Sequence, residues 1–446
     1  MKLQNGAKSL ARALSGPENP CTDISSGNPC LDRVKPVPDT ETAREIFHQG
    51  FSYSPEAREA LKQRQGGDLL RPIIALEAHV AVLKQAVSLV RQGFRHRNVI
   101  SEGNRELFRH SLAVARQLPN VQGHRQGREV VKVENARPMG LLFVTSARMG
   151  RRVIAERITQ YLGSDPVPIE FATPTGRTQL WHLPVLRVNW AGRLDDFLGK
   201  FLIAYGAAMR QGDLLSEVRV DKGRLAAEAL AVMVGFCLGA NLGLLIVERI
   251  NTQEAEPSSA APVWSLLGEF TKASGIPVLS MVTTGGAVDL MRDSSASGEL
   301  SSAGTIIMNP PGGDSAEWGE LCNFAYKEIL GGTGQAPVWL VEALGEKTGT
   351  RLSLAIKCCR SLSRCGQGDQ FWAERPKNFD DVVKGALLME QAHLNNAARL
   401  AKGVRGYTRT SVLRFGDWLI AEEGPNIVPG LMLERKHDSP PVPDIK

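Results

Sequence analysis

No uncharged apolar run in this chain of 446 residues reaches the length of about 18 that a membrane-spanning helix needs. The longest candidate, Leu230–Val247, is broken by glycines and Asn241 and closed by Glu248 and Arg249. The first residues, Met1–Ser15, are basic but lack the apolar stretch of a secretory signal. These absences predict a cytoplasmic protein with no membrane partner. Aromatic residues are sparse, at 6%, while 43% of residues are hydrophobic and 22% charged. That balance excludes collagen-like, wholly disordered and disulfide-stapled classes, and suits a globular chain of two or three domains. The seven cysteines include no CxxC pair, and the nearest histidine after Cys358, Cys359 and Cys365 is His393. Core cysteines on a helix, in a reducing compartment, are expected rather than a zinc site. No Ser-His-Asp, Cys-His or HExxH arrangement is visible, and His182 beside Trp181 reads as a loop or core histidine.

What the chain does have is a concentrated charge. Its net charge is +6. Between Arg91 and Lys132 stand nine basic residues against Glu102, Glu106 and Glu129, so this one segment carries a charge equal to that of the whole chain. Such a segment either neutralises phosphates of DNA, through Arg91, Arg95, Arg97, Arg105 and Arg109, or is a solvated helix face. A second basic stretch, Lys402, Arg405, Arg409 and Arg414 with Tyr407 and Phe415, presents the same alternatives.

The periodicity divides the chain into five parts. Residues 1–40, rich in Pro, Gly, Ser and Asn, read as a flexible arm. Residues 41–135 read as helical, with a start at Ser54-Pro55-Glu56, an apolar stripe over Ile73–Arg91 ended by Gly93, a further helix over Asn104–Leu118, and a basic loop at Gln122–Arg128. From 136 to 315, aliphatic runs alternate with helical patterns. Strands are predicted at Gly140–Val144, Val185–Val188, Leu242–Val247 and Ile276–Val282, with helices at Gly150–Leu162, Asp195–Met209, Lys222–Gly235 and Pro262–Ser274. This alternation predicts an α/β fold with a parallel sheet and helices on both faces. Residues 316–423 read as helical, over Ala316–Leu330, Val338–Gly345, Arg351–Leu362 and Phe379–Lys402, and 424–446 as a proline-containing tail.

The first strand runs into Thr145-Ser146-Ala-Arg-Met-Gly150-Arg151-Arg152 and then a helix. A strand, a glycine-rich turn and a helix N-terminus make a phosphate cradle, written G-x-x-x-x-G-K-[ST] when intact. Here only the second glycine remains. Arg151 replaces the lysine that reaches phosphate, and Arg152 replaces the hydroxyl that ligates magnesium. An ordinary strand–turn–helix fits the same residues. The third predicted strand ends Val247-Glu248-Arg249, where ATPases place an Asp-Glu pair for magnesium and water. Glu248 can substitute for the aspartate, whereas Arg249 cannot accept a proton. The fourth ends Thr283-Thr284-Gly285, either a polar sensor of the terminal phosphate or a turn cap.

As a set, these landmarks resemble the AAA+ transposition regulators, the TnsC/TniB-like ATPases, with degenerate Walker motifs. The resemblance covers about Arg91 to Gln370. Gly93-Phe-Arg-His-Arg-Asn98 is similar to the stretch that precedes the ATPase core, with Val99 in place of the usual proline. Gly140–Ile158, Leu242–Asn251 and Gly275–Val278 are similar to the family's loop-and-helix, acidic and sensor motifs. The resemblance implies a P-loop NTPase-like (AAA+) core followed by a helical lid. It also implies ATP with magnesium as cofactor, oligomers that bind duplex DNA, and an adaptor's place between a target-selection protein and a transposase. The departures fall on the loop lysine, the loop hydroxyl and the acidic pair, and Arg292 is no convincing arginine finger in its Ser/Gly-rich, mobile-looking surroundings, Asp293–Gly304. No cofactor is therefore assured, and three readings stand. The first is a hydrolysis-deficient adaptor that binds DNA and assembles with itself or with an active AAA+ paralogue. The second is an atypical ATPase with Arg151 on phosphate and Glu248 on magnesium. The third is an interaction module that binds no nucleotide.

Overall fold

The computed structural model describes residues 27–48, 74–117, 132–173, 176–212, 214, 226–252, 257–291, 293–402 and 415–420. Strand β1 (Gly140–Thr145) is followed by β2 (Val167–Thr173) and β3 (Gly176–His182), then β4 (Val185–Asn189), β5 (Leu244–Ile250), β6 (Val278–Thr283) and β7 (Thr305–Met308). Five of these form one parallel sheet in the order β4-β5-β6-β1-β7, while β2 and β3 make a separate antiparallel hairpin. Both β1 and β6 are buried along their whole length, as strands covered on two faces must be. Their register sets Thr145 beside Thr283 at the carboxyl edge. In open α/β sheets that edge is where ligands bind, at the strands whose connections leave in opposite directions. Here those strands are β1 and β6, since the chain leaves β1 for the β4 side and leaves β6 for β7. The fold is α/β, a parallel sheet with helices on both faces.

Before the sheet come α1 (Pro29–Arg33), α2 (Thr40–His48), α3 (Glu77–His96) and α4 (Glu102–Gln117). Helix α5 (Arg151–Leu162) follows β1, and with α2 and α3 it covers one face. The other face is covered by α6 (Leu194–Ala208), α8 (Pro257–Ser274) and α10 (Ser294–Leu300), with α7 (Ala226–Gly239) packed between α4 and α8 and the short α9 (Thr284–Leu290) after β6. A helical bundle then forms from α11 (Ala316–Glu328), α12 (Val338–Thr348), α13 (Leu352–Leu362), α14 (Asp369–Trp372), α15 (Phe379–Ala386) and α16 (Leu388–Ala401). One continuous hydrophobic core reaches from Cys30 to Leu419. Among the described residues no helix is long and apolar enough to cross a membrane.

Four expectations need correction. Residues 27–40 are no flexible arm: α1 buries Cys30 and Leu31, and the carbonyls of Val34 and Pro36 accept from Arg91 and the Tyr161 hydroxyl. Gly93 does not end its helix, because α3 runs on to His96. Gly93 serves a close approach instead, since a Cβ there would lie 3.2 Å from the Gly275 carbonyl oxygen and from Pro277 Cδ. Asp293–Gly304 is ordered: the Asp293 carboxylate caps α10 through the amides of Ser295 and Ala296, and Ala296 and Leu300 are buried. The sheet also has a fifth strand, β7, at a site that composition alone leaves unread. The helix start at Ser54, the basic loop at Gln122–Arg128, Arg292, Arg405–Arg414 and the tail lie outside the described residues.

Candidate functional site: a basic cavity at the loop after strand 1

The loop after β1 turns on two left-handed residues. Arg148 has φ 69° and Gly150 φ 88°. Gly150 is also the N-cap of α5 and has no side chain with which to cap it; the Val153 amide turns back to the Gly150 carbonyl at 2.8 Å, which leaves the amides of Arg151 and Arg152 at the helix N-terminus. No acidic residue stands in the first turn of α5. The loop is clamped from the bundle. The Arg148 carbonyl accepts from the amide and the hydroxyl of Ser353, and its guanidinium donates to Glu390 at 3.1 Å.

The guanidinium of Arg151 turns under the loop and crosses the sheet edge. It donates to the carbonyl oxygens of Ile250 at 2.8 Å and Met281 at 3.0 Å, joining the ends of β5 and β6. Desolvation lowers its pKa to about 10, opposed by the Asp417 and Glu248 carboxylates. Arg152 points outward and pairs with Glu156 one turn on, at 2.9 Å. Glu248 is buried and held by the Arg187 guanidinium on both carboxylate oxygens, Nε to Oε1 and a second nitrogen to Oε2 at 3.1 Å. This two-point pairing takes one lone pair on each oxygen and sets a positive charge where a divalent cation would have to approach. With Arg152 where a hydroxyl ligand belongs, the residues present do not fit magnesium.

Thr283 caps α9 through the amide of Gly286, and its hydroxyl donates to the Asp417 carboxylate. Asp417 belongs to a separate stretch, Phe415–Ile420, docked at the sheet edge. Its carboxylate also accepts from the amide and hydroxyl of Thr252, and its main-chain carbonyl accepts from the Ala147 amide of the loop at 2.7 Å. Burial raises the Asp417 pKa, against the opposing hydrogen bonds from Thr283 and Thr252 and the charge of Arg151.

Between the loop and the bundle lies a cavity of about 660 Å³, within the range of about 300–1,000 Å³ usual for small-molecule sites. Of the residues that the sequence singles out, Gly150, Arg151, Arg152, Glu248 and Arg249 line it. Thr145, Ser146 and Thr283 do not; the hydroxyls of Thr145 and Ser146 are buried without a hydrogen-bond partner among the described residues. Sequence reasoning missed Arg187, Asp417 and the cations that α13 contributes. A charged residue inside the apolar run Val185–Val188 was the available signal for Arg187, because such a group demands a partner. The spacing of Lys357 and Arg360 was the signal on α13, with Arg364 just beyond its end, since residues three and four apart share a helix face.

The five arginines proposed for DNA separate into two groups. Arg97 is buried, donates to the Leu242 carbonyl at 2.8 Å and lies over the Phe94 ring. Arg105 is buried on the carbonyls of Val99 and Ile100, and Arg91 reaches back to Val34. These three serve the fold, and Arg97 and Arg105 have no surface left for a phosphate. Arg95 and Arg109 are exposed.

No family model matches the chain, and no curated protein sequence is similar to it. Among solved structures, a Walker-type ATPase of Pyrococcus abyssi superposes with a TM-score of 0.39 at 13% identity, over 73% of this chain and 88% of that one. The fold assignment rests on the sheet order and on the strand–loop–helix geometry described above.

Proposed function

We propose that this chain is a P-loop NTPase-like adaptor that has lost hydrolysis and acts by binding. One observation carries the reading: guanidinium groups take up the groups that a magnesium nucleotide would use. Arg187 holds both oxygens of Glu248, and Arg151 is anchored on two strand carbonyls. A carboxylate so paired is already occupied by a cation and is poorly placed to take a metal ion. The partners are those of the transposition regulators that the motifs resemble: duplex DNA, a transposase, a target-selection protein, and further copies of itself or of an AAA+ paralogue. Exposed Arg95, Arg109 and Arg116, on α3 and α4, support the DNA contact.

Two measurements on the purified chain test this. With saturating ATP and magnesium, no turnover above the blank is expected. Duplex DNA is expected to bind without nucleotide, with an affinity that falls steeply with salt; replacing Arg95 and Arg109 by alanine lowers that salt slope by about 1 per residue. Magnesium-dependent turnover that disappears in Glu248→Gln would replace the adaptor by an active ATPase. Absence of DNA binding at low salt would remove DNA from the partners.

A further inference from the structure

The cavity wall departs from that of a metal-nucleotide site in one consistent direction. Seven of its lining residues are Lys or Arg, and Glu248 is the only acid among them. Four of the seven are engaged: Arg151 on carbonyls, Arg152 with Glu156, and Arg148 and Lys357 both on the buried Glu390. The other three, Arg249, Arg360 and Arg364, are exposed and have no ion-pair partner among the described residues. They come from separate elements. Arg249 stands at an irregularity in the β5–β6 register with φ 59°, a left-handed backbone that is unfavourable for an arginine. Bulges beside sites commonly re-aim a side chain, and Arg249 lines this cavity. Arg360 lies in the last turn of α13 and Arg364 just beyond it.

With Arg187 added, eight cationic groups face four carboxylates (Glu156, Glu248, Glu390 and Asp417) among the described residues. The excess of four positive charges sits around the open N-terminus of α5. A polyanion balances such a field, and a magnesium ion adds to it. Ile74, Leu321 and Ile356 also line the cavity and form an apolar wall against which an organic group can rest.

We infer that this cavity binds a polyphosphate chain without a divalent metal, with Arg249, Arg360 and Arg364 taking the part of the missing cation. The inference rests on the hydrolysis-deficient reading above and adds its ligand class. A nucleoside triphosphate and an inorganic triphosphate share this chemistry.

Calorimetric titration of the full chain tests it, with ATP and with inorganic triphosphate, each in EDTA and in excess magnesium. Saturable binding is expected in EDTA, weakened about tenfold or more by magnesium, which shields the phosphates and brings a cation against the arginines. Arg249→Ala, and separately Arg360→Ala with Arg364→Ala, each weaken binding in EDTA by about tenfold, and the lysine replacements restore part of it. These side chains are exposed, so an unchanged melting temperature shows that the variants are folded. ATP binding tighter than triphosphate supports the inference with the apolar wall engaged by the base. Equal affinities support it with phosphate as the whole determinant. Tighter binding with magnesium, indifference to the arginine substitutions, or no binding at millimolar concentration in EDTA overturns it. A chain that hydrolyses magnesium ATP overturns the adaptor reading instead, so the two failures are separable.

Discussion

A guanidinium group cannot be removed by a chelator, cannot exchange with solvent and does not leave with product. Where Arg187 grips Glu248, the carboxylate is fixed in charge and direction. The pair is also a structural commitment, because Glu248 lies buried at the end of β5. Arg187→Ala therefore leaves an uncompensated charge in the sheet edge and is expected to destabilise the fold by about 3 kcal/mol, read from chemical unfolding. Glu248→Gln in the same background should recover part of that loss. At this scale the sequence was partly legible. The replaced loop lysine, the replaced hydroxyl and Glu248 are all visible in order. Their partners are not, because Arg187 and Glu248 stand 61 residues apart and meet only through the pairing of β4 with β5.

Helix α10 shows how an element escapes a reading based on propensity. Its sequence, Ser-Ser-Ala-Ser-Gly-Glu-Leu, consists mostly of poor helix formers. Tertiary packing decides the outcome: small residues let α10 lie close on α8 and on the start of β1. A Cβ added to Gly140 would sit 2.3 Å from Leu300 Cα and 2.4 Å from the Glu299 carbonyl oxygen. Backbone cannot yield as a flexible side chain can, so Gly140→Ala should cost about 2 kcal/mol or more, seen as a lowered melting temperature. Length and burial explain why four strands were legible and the fifth was not. The aliphatic runs of β1, β4, β5 and β6 announce themselves, whereas β7 is four residues long with only Met308 buried. The hairpin of β2 and β3 lacks a short hairpin signature such as Asn-Gly, and the hydrophobic period of its second strand is masked by Arg177 and Gln179.

For the whole molecule, acid is the condition that probes the core most directly. His79 and His182 are buried, and desolvation lowers both pKa values to about 4. An unfolded histidine titrates near 6.5, so between about pH 6.5 and 4 the unfolded chain binds more protons than the folded one. Stability is fully present above that window and is lost as pH falls through it, by about 3 kcal/mol for each histidine. Asp417 acts in the opposite sense: its raised pKa means that protonation relieves the cost of burying its charge as pH falls. Melting temperatures measured across this range should fall steeply towards acid, and His182→Asn, which keeps a donor for the Asn241 carbonyl, should flatten the slope. The layered α/β arrangement was legible from alternation alone. How the last described stretch closes on the first strand was not, since no local pattern encodes a contact between distant segments. That closure bears on how the protein is made. The loop after β1 takes two hydrogen bonds from a residue 205 positions later and forms an ion pair with another 242 positions later, and its Ala147 amide waits for Asp417. Synthesis runs from the N-terminus, so the cavity stays unfinished until Asp417 has left the ribosome. Contacts of such high sequence separation form late and slowly. A nascent copy has its sheet before it has its site.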